Sequence, residues 1–183
     1  MFEANLIHRA IGLAAALMGF AVLTCGPAHA EKVASPETIT GSGQAIGPDI
    51  IMVNKQRVIL LGIDAPEQGQ SCKDGDTIWT CADTAFAVLD QLVKAGPVTC
   101  QLIGPPDPFN RRGGICTVDG KDVAGEMVSQ GLALPYPHDK QSSLYLDDQK
   151  AAQAAKVGLW QPGIVFEKPW EFRHAMHPPG TFK

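Results

Sequence analysis

The chain is short of positive charge. Its 183 residues hold 15 Lys and Arg against 19 Asp and Glu, for a formal net charge of -4. That balance excludes the broad basic footprint of a protein that grips nucleic acid through many phosphates, but it leaves room for a local cationic site. No internal repeat or low-complexity block occurs, which excludes a repeat architecture. No Cys-x-x-Cys pair occurs, which argues against structural zinc. The apolar run from Ala10 to Leu23 is too short to be a comfortable membrane span.

That run has another use. His8 and Arg9 precede it, and Ala28-His29-Ala30 follows with the small-x-small pattern of a signal-peptidase site. Residues 1–30 are therefore expected to be a cleaved signal peptide, with a mature chain that is periplasmic or secreted. Cys25 raises a lipid-anchor alternative, although Thr24 is a poor residue before a lipidated cysteine. Glu3 and Arg9 cancel, so cleavage leaves the charge balance unchanged. The remaining length suits one domain, and a monomer is expected. The expected layout is a linker over 31–38, a domain over 39–173 and a flexible tail over 174–183.

Four cysteines remain after cleavage: Cys72, Cys81, Cys100 and Cys116. An even count in an exported chain reads as disulfides. Of the three connectivities, nearest-neighbour pairing favours Cys72–Cys81 and Cys100–Cys116. Each short closure is worth about 3 kcal/mol. The first would pin the loop after Glu67, and the second would close the hairpin that carries Arg111.

Periodicity predicts strands over Thr38–Ile46, Ile50–Asn54 and Val58–Gly62, and a hairpin of Val98–Leu102 with Gly114–Val118. Helices are predicted over Ala82–Ala95, stopped by Gly96-Pro97, and over Asp122–Gln130 and Ser143–Val157. The class is α+β. After Trp170 the chain is expected to be a loose tail.

The chain is organised around Arg57-Val-Ile-Leu-Leu-Gly-Ile-Asp64-Ala-Pro-Glu67. A β-branched strand runs into a turn set by Pro66 and delivers two carboxylates, Asp64 and Glu67. Rigidly placed hard oxygens are what a Ca²⁺ or Mg²⁺ site requires. The plainer reading of Asp64-x-x-Glu67 is a helix-capping box after a core strand.

This stretch resembles the signature of the staphylococcal nuclease (thermonuclease) family. The likeness continues through Asp107-Pro-Phe-Asn-Arg111, Asp119-Gly-Lys-Asp-Val123, Met127-Val-Ser-Gln-Gly-Leu-Ala133 and Lys156-Val-Gly-Leu-Trp160, and covers roughly residues 39 to 173. The resemblance implies a five-stranded OB-type β-barrel with about three helices. It also implies Ca²⁺-dependent hydrolysis of DNA and RNA, with single-stranded DNA or RNA as substrate. By the same resemblance Asp49 and Asp64 would hold the metal together with the backbone carbonyl of Ala65. Glu67 would orient or deprotonate the attacking water, and Arg111 would bind the phosphate. Tyr136 falls near a family tyrosine that lies beside the nucleotide. The plainer readings are a solvated Arg111–Arg112 loop pair, a surface Tyr136, and packing roles for Trp79, Trp160 and Trp170.

Two departures stand out. Where the family has Asp-Gly-Asp-Thr, this chain has Gly47-Pro48-Asp49-Ile50, so an acid and a hydroxyl are missing. A literal Asp74-Gly75-Asp76-Thr77 occurs after Glu67, between two cysteines, and reads as a polar turn. The family's second arginine falls at Ile59. An arginine on a transferring phosphate is worth roughly 10³–10⁵ in rate. Arg57 lies on the same strand face, about 6.6 Å along, and is the candidate substitute. The expected activity is a weak exported phosphodiesterase. The alternative is a catalytically degenerate barrel of the cell envelope that binds an oligonucleotide, an acidic saccharide or a protein.

Overall fold

A computed structural model describes residues 37–176. The expected signal peptide, Cys25 and the last residues of the expected tail lie outside that range. The strands, in chain order, are β1 Glu37–Gly41, β2 Gly43–Ala45, β3 Ile50–Val53, β4 Gln56–Leu60, β5 Ile63–Asp64, β6 Cys72–Asp74 and β7 Thr77–Trp79. Helix α1 Cys81–Lys94 precedes β8 Val98–Ile103, β9 Arg111–Val118 and β10 Lys121–Asp122. Helix α2 Val123–Ser129, β11 Leu134–Pro135, a 3₁₀ turn over Lys140–Tyr145 and α3 Leu146–Ala155 follow. The chain then forms a 3₁₀ turn over Gly158–Trp160, β12 Ile164–Val165 and α4 Pro169–Met176.

The main sheet pairs in the order β1-β8-β9-β4-β3-β2, with β10 beside β9. It differs from the expected five-stranded barrel, because the described strands close no hydrogen-bonded ring. The path ends at β1 and β2, which Ser42 alone separates in the chain. The predicted strand Thr38–Ile46 is thus split, and its halves pair with opposite ends of the sheet: β1 with β8, and β2 with β3. Gly43 lets β2 approach α1 and β8, because a Cβ there would meet Val98 Cγ2 at 2.4 Å and Val93 Cβ at 2.9 Å.

Inward residues of the strands alternate as the pleat requires. Ile51, Val53, Val58, Leu60, Val98, Cys100, Leu102, Cys116 and Val118 are buried, and Ala85, Leu89 and Val93 of α1 complete the core with Met127 and Val128 of α2. A second, smaller cluster joins Cys72, Cys81, Leu134 and Leu159, with Trp79, Trp160, Phe166 and Trp170 packed on it. Both disulfides favoured by spacing are present, Cys72–Cys81 and Cys100–Cys116. The latter joins residues directly opposed in the β8–β9 ladder.

Three features go beyond the expected elements. Asp74-Gly75-Asp76-Thr77 is indeed a turn, with Gly75 at φ 57°, but it joins a hairpin, β6–β7, which β12 extends to three strands. The third predicted helix begins as a 3₁₀ turn and ends at Lys156 in the left-handed region. The stretch after Trp170, expected to be loose, is part of helix α4, which runs to Met176. Pro169 stands at the first helical position, where its missing N–H costs nothing.

Candidate active site

The turn between β2 and β3 carries Asp49. It is closed by Ile46 N–H and Gly47 N–H donating to Ile50 O at 2.8 and 3.1 Å, and Leu60 N–H donates to Asp49 O at 2.9 Å. Across from it, β5 ends at Asp64. Gly62, just before β5, has φ +83°, and a Cβ there would meet Tyr145 Cε2 at 2.6 Å and Gln141 O at 2.8 Å. Only glycine fits both the conformation and the space. Leu134 of β11 pairs with Asp64, and Tyr136 N–H donates to Gly62 O at 2.9 Å. These contacts bring Asp49, Ile59, Asp64, Glu67, Arg111 and Tyr136 to the wall of one cleft of about 390 Å³.

Arg111 reaches the cleft from β9, which runs parallel to β4 with Arg111 beside Arg57 and Gly113 beside Ile59. Asp107 sets its direction. Its Oδ1 accepts from Phe109 N and Arg111 N at 2.9 and 2.8 Å, and its Oδ2 accepts from Arg111 Nε at 2.7 Å. Loss of water around Asp107 pushes its pKa up, but the hydrogen bonds from Arg111 and Phe109 outweigh this and hold it below the ordinary value. With Nε engaged, the Nη1 and Nη2 donors of Arg111 remain for an oxyanion. The side chain also lies over the Phe109 ring at 5.1 Å.

Arg57 lies elsewhere. It is exposed and lines the adjoining groove with Met52, Phe109 and Arg111, and it is not among the residues lining the central cleft. Ile59 does line the cleft, as an apolar wall opposite Ile50.

The guanidinium in the cleft that sequence reasoning missed is Arg173, from α4. Its Nη1 donates to Asp64 Oδ1 at 3.1 Å and also to Glu67 Oε1, and its Nη2 donates to Asp64 Oδ2 at 2.7 Å. Its Cζ lies 5.9 Å from the Tyr136 ring centroid. Tyr136 in turn packs against Trp170 at 5.8 Å and His138 at 5.4 Å. Pro169 before an aromatic-rich segment was the available signal, a helix start with residues to bury. The segment's destination was not legible.

A fully buried Gln70 couples α4 to the acidic turn. Glu67 N–H donates to Gln70 Oε1 at 2.9 Å, and Gln70 Nε2 donates to Glu167 O at 2.7 Å. Asp64-x-x-Glu67 therefore does not cap a helix. Gln70 serves the Glu67 amide, and the two carboxylates face Arg173.

The electrostatics are uneven. Asp64 is 2% exposed, and burial raises its pKa in spite of the Arg173 hydrogen bonds and charge. Arg173 is held more firmly protonated by the Asp64 hydrogen bonds and the charges of both carboxylates. Asp49 keeps part of its surface open to the cleft but is densely enclosed. That enclosure, with the charges of Asp64 and Glu67, raises its pKa to about 7. Asp49 receives no hydrogen bond from Arg173.

This donor set suits an oxygen-preferring cation. Asp49 is a carboxylate short of positive charge, and each Asp64 oxygen accepts one N–H and keeps a second lone pair. Among the described residues no group of three or more His, Cys, Asp or Glu is placed to hold a metal. A cation here would draw on two carboxylates, backbone oxygen and water. Ala65, whose carbonyl the resemblance implies as a ligand, is buried directly after Asp64.

The described residues thus form a mixed sheet with helices and a cleft where carboxylates meet guanidinium groups. The family model "Staphylococcal nuclease homologue" matches residues 57–162, and the chain belongs to that family. It is 32% identical over 128 residues to "Succinoglycan biosynthesis protein ExoI" of Rhizobium meliloti (strain 1021), covering 68% of this chain and 66% of that one. It is 30% identical over 151 residues to "Staphylococcal-like nuclease CAN1" of Arabidopsis thaliana, covering 79% of this chain and 42% of that one. To an "Uncharacterized endonuclease" of Haemophilus influenzae (strain ATCC 51907 / DSM 11121 / KW20 / Rd) it is 27% identical over 161 residues, covering 85% and 80%. The chain thus spans just under two thirds of the first relative and less than half of the second. Among the described residues no helix is long and apolar enough to cross a membrane.

Proposed function

We propose that the protein is an exported, Ca²⁺-dependent phosphodiesterase acting on single-stranded DNA or RNA. The observation that carries this reading is the convergence of Asp49, Asp64, Glu67 and Arg111 on one open cleft. Their roles follow from chemistry. Asp49 and Asp64 would hold the cation, which supplies charge to the scissile phosphate and its attacking water. Glu67 would take the proton from that water. Arg111, aimed by Asp107, would meet the phosphate through its Nη donors. Tyr136, on the cleft wall beside Trp170 and His138, would lie against the nucleotide.

The test is hydrolysis of single-stranded DNA by the oxidised mature chain, with Ca²⁺ and then with chelator, using Glu67→Gln as the control for contaminating nuclease. Cleavage that needs Ca²⁺ and disappears in Glu67→Gln supports the reading. Equal rates in both preparations refute it.

A second reading, binding without turnover, is favoured by one observation: Arg173 ion-pairs with both Asp64 and Glu67. With Oε1 of Glu67 engaged by Arg173, only Oε2 is left to face an attacking water. Its ligand would be an oligonucleotide, an acidic saccharide or a protein of the cell envelope. The same hydrolysis experiment separates the two readings.

A further inference from the structure

We propose that Arg173 is a phosphate-binding residue of this cleft, supplied by the C-terminal helix in place of a guanidinium on the central strand. The inference rests on the phosphodiesterase reading for its substrate, and on donor counting for its geometry. A guanidinium carries five N–H donors. Three are used among the described residues: two from Nη1, to Asp64 and Glu67, and one from Nη2, to Asp64. The remaining two are the Nε–H and the second Nη2–H. They are adjacent and parallel, and together they form a fork that matches two oxygens of a phosphate.

The side chain is placed for that task. The side chain is 40% exposed, which leaves room for a ligand beside it, while Asp64 is buried. It lines both the central cleft and the neighbouring one formed by Gln68, Gly69, Phe172 and Met176. Asp64 holds its end-on donors and Glu67 the other Nη1 donor, and this fixes the plane of the guanidinium before any ligand arrives. A preoriented fork loses less freedom on binding than a solvated arginine. Its carrier is also held: Gln70 ties Glu167, at the approach to α4, to the amide of Glu67. Trp170 packs the helix onto the cluster around the Cys72–Cys81 bridge. Arg111 offers its Nη pair from β9, so the cleft has two guanidinium forks although Ile59 is apolar.

Three proteins decide the question: wild type, Arg173→Ala, and Lys150→Ala as a charge-matched control on α3, outside the cleft lining. The first readout is binding of a labelled single-stranded oligonucleotide in chelator, followed against salt. One lost phosphate contact lowers the slope of log K against log salt by about 0.7. Arg173→Ala is expected to show that drop with about tenfold weaker binding, and Lys150→Ala is not. The second readout is kcat with Ca²⁺, where Arg173→Ala is expected to lose about 10³-fold. Arg173→Lys keeps the charge without the fork. It is expected to melt like wild type and to recover only part of kcat.

An unchanged salt slope in Arg173→Ala, or full recovery of kcat by lysine, overturns the proposal. So does an absence of oligonucleotide binding by wild type. If wild type cleaves no faster than Glu67→Gln, the phosphodiesterase reading fails, and the salt slope alone then decides whether Arg173 binds phosphate.

Discussion

Asp49 sits beside two further carboxylates, and the hydrogen bonds of Arg173 go to those two. Its folded-state pKa of about 7 lies above the ordinary 3.8. The folded protein therefore holds this proton more tightly than the unfolded chain. The stabilisation it brings is complete below pH 3.8 and is lost as pH rises through about 7. Asp49→Asn removes that loss. In chelator, the variant should melt with wild type near pH 4 and above it at pH 8, by up to about 4 kcal/mol. Urea melts at the two pH values measure this, and an equal difference at both would refute it. Asp49→Asn should also weaken Ca²⁺ binding, which calorimetry reads directly. Gly62 makes a separate prediction. Gly62→Ala forces a Cβ into Tyr145 and the Gln141 backbone at positive φ, and should cost about 2 kcal/mol or more in the same melts.

At the scale of elements, the short turn from β5 to Gln70 and helix α4 act as one unit. Gln70 is buried, with both ends of its amide engaged. Gln70→Ala leaves the Glu67 amide and the Glu167 carbonyl without a partner, at about 1–3 kcal/mol for each group that stays dry. Its functional signature should be a loss of kcat comparable to that of Arg173→Lys. A fall in stability with unchanged kcat would mean that α4 docks independently of the acidic turn. The Cys72–Cys81 bridge belongs to the same unit, because it fastens β6 to the start of α1 beneath Trp79. The sequence announced α1 and the hairpin of β8 and β9 through periodicity and the Gly96-Pro97 stop. It announced β6, β7 and β12 poorly, since these strands are two or three residues long and largely exposed. Such strands exist because their neighbours pair with them, and no local pattern marks that.

For the whole molecule, the two disulfides close loops of modest length, with sequence separations of 9 and 16. Each is expected to contribute about 3 kcal/mol through the unfolded chain. Replacing Cys100 and Cys116 with Ala and Val should lower stability by about that amount and leave kcat near wild type, because the pair lies in the core rather than in the cleft lining. The Cys72–Cys81 pair should affect both stability and kcat. Thermal melts alongside turnover separate the two effects. The split of the first predicted strand at Ser42 is also a property of the whole sheet. A single extended segment serves both ends of the pairing path only by bending between them.

The sequence by itself determined the acidic turn, the short loop that joins Asp107 to Arg111 and the favoured cysteine pairing. Each depends on residues close in the chain: a strand running into Pro66, the Asp107–Arg111 loop, and cysteines across short loops. The tertiary structure alone decided which guanidinium groups reach the cleft. Arg57 shares a strand face with Ile59 but opens into the groove beside Arg111. Arg173, 109 positions from Asp64, arrives through a buried glutamine and a tryptophan packed on a satellite core. Spacing along a strand sets the face a side chain occupies, whereas its reach into a cleft depends on long-range packing that no local pattern encodes.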